Sequence, residues 1–133
     1  MIYVFDACAM IAYLKREPGG DLVNALLEKE NSRCVAHSIN LCEVFYDCLR
    51  VRSRDFARKF VDDLLADGVE ERSDLDRPFW EGVGTLKARG RISIADCFCL
   101  ALAQRLDGTV VTSDRAEFGP LEALGICPIT FIR

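Results

Sequence analysis

Short apolar runs alternate along the chain with longer stretches whose apolar residues recur at helical spacing. Ile2-Tyr3-Val4-Phe5 reads as a buried strand, and Cys34-Val35-Ala36-His37 as a second. A weak strand is expected near Val69-Glu70-Glu71, and stronger ones at Thr109-Val110-Val111-Thr112 and Ile129-Thr130-Phe131-Ile132. Between them the spacing predicts a helix from near Ala9 to just before Pro18-Gly19-Gly20, and a second one capped by Asp21 with Leu22, Leu26 and Leu27 on its apolar side. Ser38 is the expected N-cap of a helix that turns Leu41, Val44, Phe45 and Cys48 inward. Helices follow over 53–67, with Phe56, Phe60 and Leu64 in register, and over 74–89, with Leu75, Phe79, Val83 and Leu86 on one face. Ser93 opens another that runs to about Leu106, and a short one covers 116–124. Such alternation predicts an α/β fold, a parallel sheet with helices on both faces. In sheets of that kind ligands collect at the carboxyl ends of the strands.

The bulk properties narrow the chemistry. A length of 133 residues suits one domain over 1–133, and half the residues are hydrophobic, enough for a core. No apolar run reaches the roughly 20 residues of a membrane span. The opening MIYVFDACAM lacks a basic segment and does not read as a signal peptide, so a cytoplasmic protein is expected. A net charge of −4 argues against a passive nucleic-acid coat, but not against an enzyme that meets phosphates through bound cations. The seven cysteines form no C-x-x-C pair and the only histidine is His37, so no zinc site is indicated; buried thiols in a reducing compartment are expected.

The acids carry the functional signal. Asp6 directly follows the first strand, and Asp114 lies two residues beyond the strand at 109–112. Glu43 falls in the second turn of the helix after the second strand, and Asp96 in the first turn of the helix opened by Ser93. Each has an ordinary explanation. Ser93-Ile94-Ala95-Asp96 matches a capping box, Glu43 fits a solvated helix face, and Asp114 suits a helix N-terminus. Asp6 is harder to explain so, because apolar sequence encloses it and an unpaired buried charge is costly. Four carboxylates converging on one sheet edge, without His or Cys ligands, suit a hard divalent cation such as Mg²⁺ or Mn²⁺. No Gly-rich phosphate loop or Ser–His pair is visible. Metal-assisted hydrolysis of a phosphodiester by an activated water is the simplest use of such a cluster.

Read in order, four segments resemble the PIN-domain family, in particular its VapC-type toxin ribonucleases: Val4-Phe5-Asp6-Ala7, Ile39-Asn40-Leu41-Cys42-Glu43, Ile92-Ser93-Ile94-Ala95-Asp96, and Val110-Val111-Thr112-Ser113-Asp114-Arg115. The resemblance runs from residue 2 to the last strand. It implies a three-layer α/β/α fold with a central parallel sheet of about five strands, and endonucleolytic cleavage of RNA. It assigns Asp6, Glu43, Asp96 and Asp114 as metal-binding acids, with Asn40 and Thr112 in support. It also implies a homodimer and a cognate antitoxin, the chain being the toxin of a type II pair. Where the family often has Ser or Thr two residues after the first acid, this chain has Cys8, which puts a hydroxyl contact in doubt. Arg91 and Arg115 flank two motifs and have two readings, phosphate contact or solvated charge.

Three other readings compete. An inactive PIN-like RNA-binding or assembly module would not need all four acids. A receiver-like signalling domain needs a late lysine after a strand, whereas Lys87, the last lysine, lies in a helical segment. A phosphatase with an aspartate nucleophile wants D-x-D after the first strand, and position 8 is Cys. Finally, Phe56, Phe60, Val61, Leu64 and Leu65 give the 53–67 helix a wide apolar face. With the 21–29 helix it is expected either to form a groove for an antitoxin segment or to be core.

Overall fold

A computed structural model describes residues 1–133. Its strands are β1 (Ile2–Phe5), β2 (Arg33–His37), β3 (Val69–Arg72), β4 (Thr109–Thr112) and β5 (Ile129–Phe131). They form one parallel sheet in the order β3-β2-β1-β4-β5. Seven helices connect and follow them: α1 (Ala7–Leu14), α2 (Gly20–Glu28), α3 (Ser38–Leu49), α4 (Arg54–Ala66), α5 (Arg77–Ala88), α6 (Ile94–Leu106) and α7 (Arg115–Glu122). Strand pleating divides the core between the two faces. Tyr3, Phe5, Ala36 and Val111 point to the face covered by Met10, Val23, Leu41, Val44 and Leu64 of α1 to α4. Val4, Val35 and Val110 point to the face covered by Phe79, Val83, Leu100 and Phe118 of α5 to α7. The result is a three-layer α/β/α sandwich.

The chain builds outward from β1 through β2 to β3, then returns to lay β4 on the other side of β1. β1 and β4 therefore flank the point where the direction of winding reverses. The helices that follow them leave on opposite faces of the sheet, so a crevice opens at their carboxyl ends.

Several local expectations need correction. The first helix begins at Ala7 rather than near Ala9, because Asp6 caps it, accepting from the Ala9 N–H at 2.8 Å. Gly19, at φ 93°, is the N-cap of α2, and Asp21 sits in its first turn. Ser38 is already helical. The N-cap of α3 is His37, whose Nδ1 accepts from the Ile39 N–H at 3.1 Å while Nε2 meets the Asp74 carbonyl at 2.8 Å. The helix expected from 74 starts at Arg77, with Pro78 in its first turn, and Leu75 lies outside it, 60% exposed. Ion pairs hold that connection extended: Arg72 and Arg105 both grip Asp74, and Arg105 also grips Asp76. The apolar stripe of α4 packs on α3 and the α1 side of the core, not on α2. The cleft shared by α2 and α4 is polar, lined by Asp21, Asn24, Asp63 and Asp67. Phe56, Phe60 and Val61 stay half-buried and Leu65 is exposed, so the apolar face of α4 is not wholly core; an apolar groove lies between α3 and α4, at Leu41, Phe45 and Val61.

Candidate active site

Each acid is delivered by a backbone transition. Asp6 leaves the end of β1, is 1% exposed, and has both carboxylate oxygens engaged. Oδ1 accepts from Ala9 N–H, and Oδ2 accepts a short hydrogen bond from the Thr112 hydroxyl. Thr112 ends β4, the neighbouring strand, and its Oγ1 also accepts from the Asp114 N–H at 2.9 Å. One buried hydroxyl thus ties the first acid to the turn that carries the last one expected from sequence. Asp114 is the N-cap of α7 and accepts from the Glu117 N–H at 3.0 Å.

Two helix starts face each other here, and neither forms a complete capping box. At α6 the Ser93 hydroxyl accepts from Asp96 N–H at 3.2 Å, but the Ser93 N–H donates to Oε1 of Glu117 rather than to Asp96. At α7 the Asp114 N–H goes to Thr112, not back to Glu117. Asp96 and Glu117 each occupy the third helical position, where a carboxylate ordinarily returns to its own cap. Both are relieved of that duty. Carboxylate oxygens of Asp96, Asp114 and Glu117 lie within 4.8 Å of one another.

Glu43 approaches from α3. Asn40, one turn earlier and fully buried, donates through Nδ2 to Glu43 Oε1 at 3.0 Å and to the Ala95 carbonyl at 3.2 Å. That amide therefore fixes α3 against the start of α6. Because Nδ2 serves two acceptors, Oδ1 is the atom left over, and it is a buried side-chain oxygen without a partner.

The electrostatics match a crowded acidic site. Burial pushes the Asp6 carboxyl up to about 7, against the lowering effect of the Thr112 and Ala9 hydrogen bonds, and the charges of Glu43 and Asp114 add to the rise. Asp96 is pushed up to about 8, first by burial and then by the charge of Asp6; the Ser93 hydroxyl opposes the rise and the nearby Glu117 carboxylate adds to it. Glu43 is raised by burial, then opposed by its bond from Asn40, with Glu117 raising it again. The thiol of Cys8 is pushed up to about 12 by the protein packed around it and by the charges of Asp6, Asp114, Asp96 and Glu43. Cys8 is thus a neutral thiol within the field of all four acids expected from sequence.

Asp96 and Asp114 share the tight carboxylate group with Glu117, which was not anticipated, whereas Asp6 and Glu43 stand outside that group but within its field. The available signal for Glu117 was its place three residues after Asp114 at a helix start, where a capping role explains an acid equally well. Arg115 is used locally: its guanidinium lies 4.6 Å from the Phe131 ring and donates to the Arg133 carbonyl at 2.8 Å. Arg91 is exposed just ahead of Ser93. The donor set, carboxylate oxygens without a nitrogen or sulfur ligand, fits a hard divalent cation.

Comparison with known proteins agrees with this architecture. The fold is similar to VapBC2 from Rickettsia felis, solved bound to a DNA fragment from its promoter, at TM-score 0.78 and 18% identity, covering 98% of each chain. It is similar to the DNA-bound VapBC of Salmonella typhimurium at TM-score 0.76 and 18% identity, over 100% of this chain and 99% of that one. VapBC-1 of nontypeable Haemophilus influenzae aligns at TM-score 0.73 and 22% identity, over 99% and 98%. No curated protein is significantly similar in sequence. The profile of the PIN domain matches residues 3–119, a span that takes in all four acidic motifs, and the chain belongs to the PIN-domain family.

Proposed function

We propose that the chain is a divalent-metal-dependent endoribonuclease, the VapC-type toxin of a type II toxin–antitoxin pair. The observation that carries the reading is the meeting of Asp96, Asp114 and Glu117 carboxylate oxygens within 4.8 Å at the apposed starts of α6 and α7, neither Asp96 nor Glu117 returning to its own cap. Family membership and the VapBC neighbours support the toxin assignment.

Asp96, Asp114 and Glu117 would hold Mg²⁺ or Mn²⁺, with Asp6 and Glu43 completing the acidic surround. Bound there, the cation supplies a water of lowered pKa and offsets charge on the phosphate oxygens. Asp6 keeps its place through Thr112, and Glu43 through Asn40. The remaining assignments, a cognate antitoxin, a homodimer and a cytoplasmic location, follow from likeness to the toxin family.

The test is incubation of the purified protein with end-labelled RNA in Mg²⁺, Mn²⁺ or EDTA, followed by analysis of the new ends. Cleavage that needs the cation and leaves 5′-phosphate ends supports the proposal. Cyclic 2′,3′-phosphate ends, or full activity in EDTA, would exclude it.

A further inference from the structure

An unusual concentration of positive charge lies at the far end of α3. Residues 50–59 hold five cations, Arg50, Arg52, Arg54, Arg58 and Lys59, against one acid, Asp55, in a chain whose net charge is −4. Lys59 pairs with Asp63 on its own helix, and Asp55 sits in the first turn of α4. The four arginines are exposed, and none meets a carboxylate within ion-pair distance, although Arg33, Arg72, Arg77, Arg105 and Arg133 all do.

Two of them are mounted on rings instead. The Arg50 guanidinium lies 4.9 Å from the Tyr46 ring and that of Arg52 4.8 Å from the Phe56 ring. Contact through the flat face leaves the N–H edge of a guanidinium free to donate to phosphate oxygens. Tyr46 itself remains 42% exposed.

The patch is continuous with the acids. On α3, Tyr46 and Asp47 stand one turn beyond Glu43, and Arg50 stands two turns beyond, all on one face. A rise of about 1.5 Å per residue puts Arg50 roughly 10 Å along the helix from Glu43. Asp47, the acid between them, is neutralised by Lys15 of α1 at 3.1 Å. A negatively charged strand leaving the acidic site along α3 therefore meets a neutral pair and then free guanidinium groups.

We propose that the α3–α4 hairpin is the docking surface for single-stranded RNA flanking the cleaved bond, with Arg50, Arg52 and Arg54 taking successive phosphates and the exposed Tyr46 ring taking a base. This rests on the ribonuclease reading of the acidic site. It supplies what that site lacks, since five carboxylates repel RNA until cations neutralise them. The alignment with Glu43 favours RNA over an acidic protein segment, which would not need to lead to the acids.

The experiment measures binding without cleavage, so it is independent of whether the acids hydrolyse RNA. Fluorescence anisotropy follows a labelled oligouridylate binding to the intact protein in EDTA across a salt series. The triple variant Arg50→Gln, Arg52→Gln, Arg54→Gln should weaken binding about tenfold or more and reduce the log–log salt slope by about 2, as expected for three lost single-strand phosphate contacts. Replacing the same residues by Lys should keep the slope while losing part of the affinity, because charge survives and stacking does not. A control with equal net charge, Lys29→Gln, Arg33→Gln, Arg77→Gln, should change affinity less than about threefold. Failure of the unaltered protein to bind, an unchanged slope in the triple variant, or an equal loss in the control would each overturn the proposal. So would a triple variant that keeps RNA but loses a labelled oligoglutamate peptide, which would assign the surface to an acidic protein partner.

Discussion

Glu117 accepts the backbone N–H of Ser93, so a carboxylate of α7 completes the cap of α6, a helix that starts on the other side of a long connection. The bond joins the last two acidic motifs of the chain. It also makes Glu117 testable apart from folding. Glu117→Gln keeps an acceptor for Ser93 and removes a charge. The variant should melt within about 1 kcal/mol of the unaltered protein in EDTA. It should nevertheless lose most of the rise in Tm that Mn²⁺ gives. Equal Mn²⁺ protection in both proteins would remove Glu117 from the metal-binding set.

The raised carboxyls fix the sign of a pH effect. Asp6 at about 7 and Asp96 at about 8 bind protons more tightly in the fold than in the unfolded chain. Their stabilising contribution is therefore fully present below about pH 4, the unfolded range, and is lost as pH climbs through 7 to 8. Metal-free protein should accordingly lose stability from pH 5 to pH 8.5, by urea titration at about six pH values. With saturating Mn²⁺ the slope should flatten or reverse, since the cation needs the ionised acids. Stability that rises with pH in EDTA would contradict the crowded-acid account.

Asp96→Asn separates site from cap. The cap bond at this position runs from the Asp96 backbone N–H to Ser93, and asparagine retains it. Removing the charge should raise the metal-free Tm at pH 8 by a few degrees, the size expected for about 1 kcal/mol in a chain of this length. A fall of that size, as loss of a helix cap gives, would mean that Asp96 is chiefly structural.

For turnover, Asp6→Asn and Asp114→Asn should each abolish cleavage. His37→Ala should leave the activity of folded molecules close to normal, because a metal-activated water needs no imidazole base. It should still be destabilised by roughly 2 kcal/mol, since His37 caps α3 and packs against the rings of Phe79 and Phe98. A stable His37→Ala protein with no activity would assign His37 to catalysis.

Gly20 offers a check on packing away from the acids. A Cβ there would run into the Ala12 carbonyl, and the neighbouring Gly19 backs onto the Ile132 carbonyl. Gly20→Ala should cost roughly 1–3 kcal/mol despite better helix propensity. A neutral or raised Tm would show that α1 and α2 separate easily.

Much of this was legible before any coordinates. Four strands showed because each is a short run rich in apolar and β-branched residues, whereas β3, Val69-Glu70-Glu71-Arg72, carries one apolar residue and was marked only weakly. The winding reversal beside β1 then put Asp6 and Asp114 on one edge. What escaped sequence reading depends on contacts between distant segments. Leu75 keeps helical spacing with Phe79, yet Arg72 and Arg105 hold Asp74 and Asp76 outside the helix, and no local pattern encodes that grip. Pro78 was the available signal of a later start. Serine favours the cap position, which is why Ser38 reads as one in the sequence, whereas His37 is fixed there by Asp74 on another segment. Glu117 carries no signal in the sequence beyond its place in the first turn of a helix, and only the apposition of α6 and α7 brings it to Asp96 and Asp114.

The bond between Thr112 and Asp6 spans 106 positions. Its length has a consequence for how the protein is born. Asp96, Asp114 and Glu117 all belong to the last third of the chain, and β4 cannot dock beside β1 until it has been made. A growing polypeptide therefore carries Asp6 and Glu43 for most of its synthesis without an assembled centre. For the ribonuclease proposed above, assembled on a machine made largely of RNA, the order of the motifs would act as a delay.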